Sequence, residues 1–239
     1  MQRMGIGSNQ MELIRLVVGF DQREAIAYHV FVQSVIQNSN NPISFHPLSK
    51  KALSFYNETH SDRSNAFTYS RFLTPYLMNF EGWAIYLDGD MVCQEDISLL
   101  WKLKDSSKAV QVVKHEYKTK SNMKYLKNIN VDYPKKNWSS VIIWNCSHPK
   151  NKVLAPEFIS SSDGKFLHRF MWLDEDDIGE IPVEWNWLAT EYSPNPDAKL
   201  IHYTLGTPCF SEYSQSEMSD EWHSVFNLTM SGKTMDDTK

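Results

Sequence analysis

Two carboxylates one residue apart close the most strand-like stretch of this 239-residue chain, Trp83-Ala84-Ile85-Tyr86-Leu87-Asp88-Gly89-Asp90-Met91. Along a strand, residues i and i+2 share a face and stand about 6.6–6.8 Å apart. A turn at Gly89, which has no side chain to obstruct it, would shorten that gap. Asp88 and Asp90 could then hold one hard divalent cation, directly or through water. Mg²⁺ and Mn²⁺ take oxygen ligands and keep room for substrate phosphates. The plain alternative is a strand end closed by an Asp-Gly turn, with Asp90 in solvent. The triplet alone does not choose between the two.

The elements that must position this pair follow an α/β rhythm. Leu13 to Phe20 is a short, mostly apolar run, read as the first buried strand. Asp21-Gln22-Arg23-Glu24 has the form of a capping box, with Asp21 as N-cap and Glu24 three residues on. A helix to about Gln37 follows, with Ile26, Tyr28, Val30, Phe31, Val32 and Val35 supplying its apolar face. In open α/β sheets ligands bind beyond the carboxyl ends of strands, which puts Phe20 and Asp21 at the crevice. Ile43 to Leu48 reads as a second strand. Ala66 to Phe80 reads as a helix that contains Arg71 and that Pro75 should disturb. Beyond the carboxylate pair, Ile97 to Leu103 reads as helix and Ala109 to Val113 as strand. Ser139 to Trp144 reads as strand, Asn151 to Ser160 as helix and Lys199 to Tyr203 as a last short strand. Lys114 to Lys136 interleaves seven lysines with Tyr117, Tyr125 and Tyr133. A solvated, mobile segment is its plain reading, and an acceptor-binding lid with phosphate-facing lysines the sharper one. With no internal repeat and no linker-like break, residues 12–225 are read as one domain, between a flexible leader at 1–11 and a flexible tail at 226–239.

Composition narrows the function. Lys plus Arg total 24 against 29 Asp plus Glu, a net charge of −5, which argues against broad nucleic-acid binding. The three cysteines are widely spaced and offer neither a CxxC metal pair nor an even disulfide framework. No run approaches the roughly 18 apolar residues of a spanning helix. The first eleven residues lack the apolar core of a signal peptide. The expectation is a cytoplasmic protein with at most peripheral membrane contact.

An ordered set of residues carries a family resemblance over roughly residues 13–210. An N-terminal strand ends in an acidic residue. Tyr69-Ser70-Arg71-Phe72 precedes the central strand, then comes Leu87-Asp88-Gly89-Asp90, then the strand around Trp138 to Asn145, and finally His202-Tyr203-Thr204-Leu205-Gly206. The chain resembles the retaining glycosyltransferases of GT-A fold that include glycogenin and the bacterial lipopolysaccharide galactosyl- and glucosyltransferases (family 8). The resemblance implies a Rossmann-like α/β fold with a mixed, mostly parallel central sheet flanked by helices. It implies that Asp88, Asp90 and His202 bind Mn²⁺ (or Mg²⁺), that the metal grips the diphosphate of a nucleotide sugar, and that the acceptor is a carbohydrate or lipid-linked glycan. Phe20, Asp21, Arg71, Asp88, Gly89, Gly206 and Thr207 would then contact the donor, and Trp185 and Asn186 the acceptor. The chain departs from the pattern in three places. Thr207-Pro208-Cys209-Phe210 stands where many relatives have a lysine followed by Pro-Trp, so one phosphate-binding cation is missing or comes from elsewhere. Trp138-Ser139-Ser140 replaces an Asn-Ala-Gly-like run. Asp174-Glu175-Asp176 is the nearest match to an Asp-Gln-Asp-like segment, which leaves Asp174, Asp176 and Asn186 as the candidates for a catalytic role.

The resulting expectation is a metal-dependent hexosyltransferase using a nucleotide sugar, UDP-linked, with retention of configuration. The rival is a GT-A-shaped module that has lost turnover and only binds a nucleotide or glycan. Donor hydrolysis in the presence of Mn²⁺ separates them.

Overall fold

A computed structural model describes residues 12–61 and 65–231. The expected leader at 1–11 and the end of the expected tail, 232–239, lie outside the described residues.

The core is a six-stranded sheet in the order β2-β1-β3-β6-β5-β7. Its strands are β1 (Ile14–Gly19), β2 (Ile43–Leu48), β3 (Trp83–Leu87), β5 (Val110–Val112), β6 (Val141–Asn145) and β7 (Ile178–Glu180). β1 runs parallel to both β2 and β3, and β5 parallel to β7, while β6 is antiparallel to β3 and β5. Every residue of β6 is buried, as are four of the five in β3. That explains their near-continuous apolar sequence, as expected for strands covered on both faces. A second sheet, in the order β4-β9-β8, is made of β4 (Met91–Cys93), β8 (Trp187–Leu188) and β9 (Leu200–His202). The sequence reading holds β1, β2, β3, β5, β6 and β9. It misses β4, β7 and β8, which are two or three residues long.

The helices are α1 (Ala25–Asn38), α2 (Thr74–Leu77), α3 (Ile97–Trp101), α4 (Pro156–Ser161), α5 (Gly164–His168) and α6 (Ser219–Ser231). Three expectations are corrected. The long helix expected over 66–80 is a run of turns, a 3₁₀ segment at Ser70–Leu73 and only then α2. Pro75 therefore falls in the first turn of α2, where its missing N–H costs nothing, instead of interrupting a helix. The capping box at 21–24 is half right. Asp21 accepts from the Arg23 backbone N–H, but Glu24 turns inward and ends a 3₁₀ turn ahead of α1. Finally, ordered structure continues past residue 225. α6 runs to Ser231 and packs Trp222, Val225 and Phe226 against Val30 of α1 and Ile201 and Tyr203 of the small sheet.

Candidate metal and donor site

Asp88 and Asp90 sit where the chain leaves the large sheet for the small one. β3 ends at Leu87 and β4 begins at Met91, so the Asp-Gly-Asp triplet is the hinge between them. The expected turn at Gly89 has a specific cause. A Cβ there would lie 2.3 Å from the carbonyl oxygen of Gly19, so only glycine lets this hinge pass the end of β1. His202 arrives by strand register. β4 pairs antiparallel with β9, Met91 opposite His202, and the Tyr203 N–H donates to the Asp90 carbonyl at 3.0 Å. Residues far apart in the chain are thereby neighbours across one ladder.

The three side chains converge. One ligand atom from each of Asp88, Asp90 and His202 lies within 4.8 Å of the others, and all three residues are buried. His202 Nε2 is 3.3 Å from Asp90 Oδ1 and 3.9 Å from Asp88 Oδ2. Asp90 Oδ1 is buried with no aligned hydrogen-bond donor, an expensive condition for a carboxylate oxygen unless something else satisfies it. The imidazole is set up as a ligand. Asn186 Nδ2 donates to Ser140 Oγ at 2.8 Å and to the Asn137 carbonyl at 3.3 Å, so its Oδ1 faces His202 Nδ1 at 2.9 Å. The ring then donates from Nδ1 and presents Nε2 to the carboxylates, where a neutral imidazole would offer its lone pair. Two carboxylates and one imidazole fit a hard or borderline divalent cation, and Asp88, Asp90 and His202 are the residues that would hold it.

A buried ion pair braces Asp88. Arg71 Nη1 lies 3.0 Å from Asp88 Oδ1 and also donates to the Ser139 carbonyl at 2.7 Å, while its Nε donates to Thr68 O. Tyr86 Oη donates to the same Oδ1 at 2.6 Å, and the guanidinium lies over the Tyr86 ring, 5.1 Å from its centroid. Burial and the neighbouring Asp90 charge push the Asp88 carboxyl up, against the pull of Arg71. For Asp90, burial acts upward but is outweighed by His202, the local backbone and Lys124 together, and the carboxyl ends below its ordinary value. A site that holds its acids this way is loaded with negative charge that a cation would relieve.

The trio opens onto a cavity of about 450 Å³. Its walls carry Arg71, Thr204, Ser139 and Ser140, with His168 and Arg169 at the end of α5. Most of its cover is the segment the sequence reading left between a mobile loop and a lid. Lys124, Tyr125, Asn130, Tyr133 and Lys136 all face in, and Tyr125, Asn130 and Lys136 are buried, so the solvated reading of 114–136 is corrected. Tyr125 fastens this strap. Its N–H donates to Leu205 O at 2.6 Å, its Oη donates to Glu24 Oε1 at 3.0 Å, and its ring stacks on Phe210 at 5.2 Å. Glu24, read from sequence as a helix cap, is therefore the strap's catch. Nothing in the local sequence signals that role; only the pairing across the fold does.

The remaining expected residues divide. Phe20 and Asp21 lie just past β1 at the sheet edge that carries Asp88. Phe20 is half-buried edge-on to Tyr28, and Asp21 accepts from the Ala66 N–H. Gly206 and Thr207 do not line the cavity. A Cβ at Gly206 would meet the Tyr213 ring at 2.4 Å and Tyr125 Cβ at 3.0 Å, so this glycine makes room for the strap. Thr207 is fully buried, its Oγ1 2.8 Å from Cys209 Sγ. Trp185 is 1% exposed in the core beside Ile181 and Leu200, with no indole face left for a sugar. Asn186 is likewise sealed, its side chain turned toward His202. Asp174 and Asp176 stand apart from the cavity. Asp174 caps a surface 3₁₀ turn and pairs with Lys150 at 2.5 Å, and Asp176 is exposed.

Comparison with known proteins agrees with this geometry. A profile of glycosyl transferase family 8 matches residues 22–146. Protein CDI of Arabidopsis thaliana is 39% identical over 226 residues, which are 90% of this chain and 87% of that protein. Among solved structures, the galactosyltransferase LgtC in complex with donor and acceptor sugar analogs superposes with a TM-score of 0.56 at 14% identity, over 90% of this chain and 95% of its own. The glycosyltransferase GlyE of Streptococcus pneumoniae TIGR4 gives 0.58 at 12% identity, over 95% of this chain and 65% of its own. The WbbM bifunctional glycosyltransferase gives 0.58 at 16%, over 92% of this chain, which spans about half (51%) of that protein. These likenesses establish the GT-A fold, and no helix among the described residues is long and apolar enough to cross a membrane. On the profile match and the 39% identical relative, the chain belongs to glycosyl transferase family 8 and is a glycosyltransferase.

Proposed function

We propose that the protein transfers a hexose from a nucleotide sugar, UDP-linked, to a carbohydrate or lipid-linked glycan, with Mn²⁺ as its metal and with retention of configuration. The observation that carries this reading is the convergence of Asp88, Asp90 and His202 beside a cavity that also holds Arg71. Glycosyl transfer expels a nucleoside diphosphate, and the metal would supply the Lewis acid that offsets its developing charge. The imidazole ligand favours Mn²⁺ over Mg²⁺, which prefers all-oxygen shells. Arg71 opposes the upward push of burial on Asp88 and orients it, and Asn186 would keep Nε2 of His202 directed at the ion. Phe20 and Asp21 would border the nucleoside. Retention places leaving group and acceptor on one face of the sugar, where the departing phosphate oxygen can take the acceptor proton. Asp174 and Asp176 do not line the cavity, and this scheme asks no base of them. In this reading the protein works in the cytoplasm, with peripheral membrane contact where the acceptor is lipid-linked.

The test is the double substitution Asp88→Asn with Asp90→Asn. Hydrolysis or transfer from a UDP-sugar in Mn²⁺ should fall on the order of 10³-fold, the several kcal/mol a Lewis-acid metal contributes. Turnover that survives the double variant sinks the proposal.

A further inference from the structure

The cavity's cations are unevenly committed. Arg71 is paired to Asp88 and to the Ser139 carbonyl. Lys136 donates to Asn130 Oδ1 at 2.6 Å and to the Val131 carbonyl at 2.7 Å, and so ties the strap to itself. Lys124 differs from both. It is half-buried, lines the same cavity as Asp88 and Asp90, and makes no side-chain hydrogen bond or ion pair among the described residues. Burial holds its ammonium below the ordinary lysine value, against the pull of Asp90 and then Asp88. Close by in the same wall, Thr204 Oγ1 is buried and unpartnered. An uncommitted cation and an unsatisfied hydroxyl beside a metal-holding trio describe a binding place for an anion with several oxygens.

We propose that Lys124, with Thr204 beside it, grips the diphosphate of the donor from the strap. This deepens the reading under Proposed function and rests on it. The placement is enforced by the residue next door. Tyr125 is locked by its N–H to Leu205, its Oη to Glu24 and its ring against Phe210. One residue away, Lys124 is thereby kept at the cavity wall. The loop after β9, where Thr207-Pro208-Cys209-Phe210 contains no cation, supplies the aromatic seat for Tyr125. The charge is thus delivered by the strap, which packs against that loop but lies far from it in the chain. The donor's phosphates would bridge the metal corner on one side and the strap on the other, so donor and strap hold each other closed.

Calorimetric titration of the full chain with inorganic pyrophosphate in Mn²⁺, and with Mn²⁺ alone, tests this without relying on turnover. Lys124→Met should weaken pyrophosphate by about 10- to 100-fold, the range for a lost charged hydrogen bond. It should leave Mn²⁺ alone unweakened, because the repulsion between ammonium and metal is gone. That unimpaired metal binding also reports that the variant is folded. Lys124→Arg should recover most of the loss, and Thr204→Val should lose about 3- to 10-fold. Unchanged pyrophosphate affinity in Lys124→Met, or an equal fall for pyrophosphate and for Mn²⁺ alone, overturns the proposal while leaving the glycosyltransferase reading intact. If the unsubstituted protein binds neither UDP nor pyrophosphate in Mn²⁺, the broader reading fails and takes this one with it.

Discussion

The metal corner and the strap face each other across one cavity, yet they are built by different forces. The corner is backbone work. Asp88 and Asp90 are fixed by the passage from β3 to β4, and His202 by the register of β4 against β9. The strap at 114–136 contains no strand pairing with either sheet. It is pinned by side chains, chiefly Tyr125 on Glu24 and Phe210, and Glu191 accepting from the Lys120 N–H. Ladder hydrogen bonds tie a position to the global fold, whereas a few side-chain contacts release at much lower free energy. A rigid corner and a releasable cover suit a site that must hold an ion continuously and admit a large donor intermittently.

The strap's catch should respond most strongly to pH. Burial first, and then the Asp90 charge, raise the Glu24 carboxyl to about 9 from its ordinary 4.5. The folded state therefore prefers the neutral acid. Its contribution to stability is complete below pH 4.5 and is lost as pH climbs toward 9, on the order of 3 kcal/mol by pH 7. Glu24→Gln cannot ionise and still offers an oxygen to Tyr125 Oη. In chelator-treated protein, urea denaturation at pH 5 and pH 8 should show the variant gaining on the wild type at the higher pH. A constant difference across that range would mean the catch is already charged when the strap is down, and the contrast drawn above would lose its basis on that side.

The corner should respond in metal affinity instead. Asn186→Ala frees the His202 ring from its only Nδ1 partner among the described residues. Loss of such an orienting hydrogen bond weakens metal binding by about 10- to 100-fold. Asn186→Asp, which keeps an acceptor for Nδ1, should recover part of it. Amide exchange in the strap should not change, because no strap residue bonds Asn186 except through Asn137 at its margin. A variant with normal Mn²⁺ affinity would show that the ring is positioned by packing alone.

What the sequence made legible follows the same division. The corner is readable because strand-forming residues end in Asp-Gly-Asp and a histidine stands at the end of a second apolar run. Both signals are local, and the family pattern joins them. The strap is not readable because its order comes from distant partners. Tyr125 and Lys124 sit in a polar, lysine-rich stretch whose composition resembles a solvated loop, and Glu24 fits a capping pattern that it then abandons. Asn186 reads from sequence as a sugar contact because an amide stands beside two tryptophans, whereas in the fold its side chain meets His202 next to the β8–β9 pairing. Trp185 illustrates the same ambiguity, for a flat aromatic serves a pyranose or a core equally well and only burial decides.

The acidic run at 174–177 belongs to neither region, and it gives the comparison its control. Its charges are used locally. Asp174 and Asp177 share Lys150, at 2.5 and 2.6 Å, and Asp177 Oδ2 accepts from the Asp174 N–H to close a capping box. The Asp174 and Lys150 side chains are 84% and 41% exposed, and such pairs contribute no more than about 1 kcal/mol. Asp176 is exposed, with only its backbone carbonyl engaged, by Lys108. Asp174→Asn and Asp176→Asn should each leave donor turnover within about twofold, with a small loss of stability for Asp174→Asn that salt diminishes. A loss of turnover of tenfold or more, at unchanged Mn²⁺ affinity, would place a third functional wall outside the corner and the strap, brought to the cavity by a movement that a rigid corner and a single releasable cover do not provide.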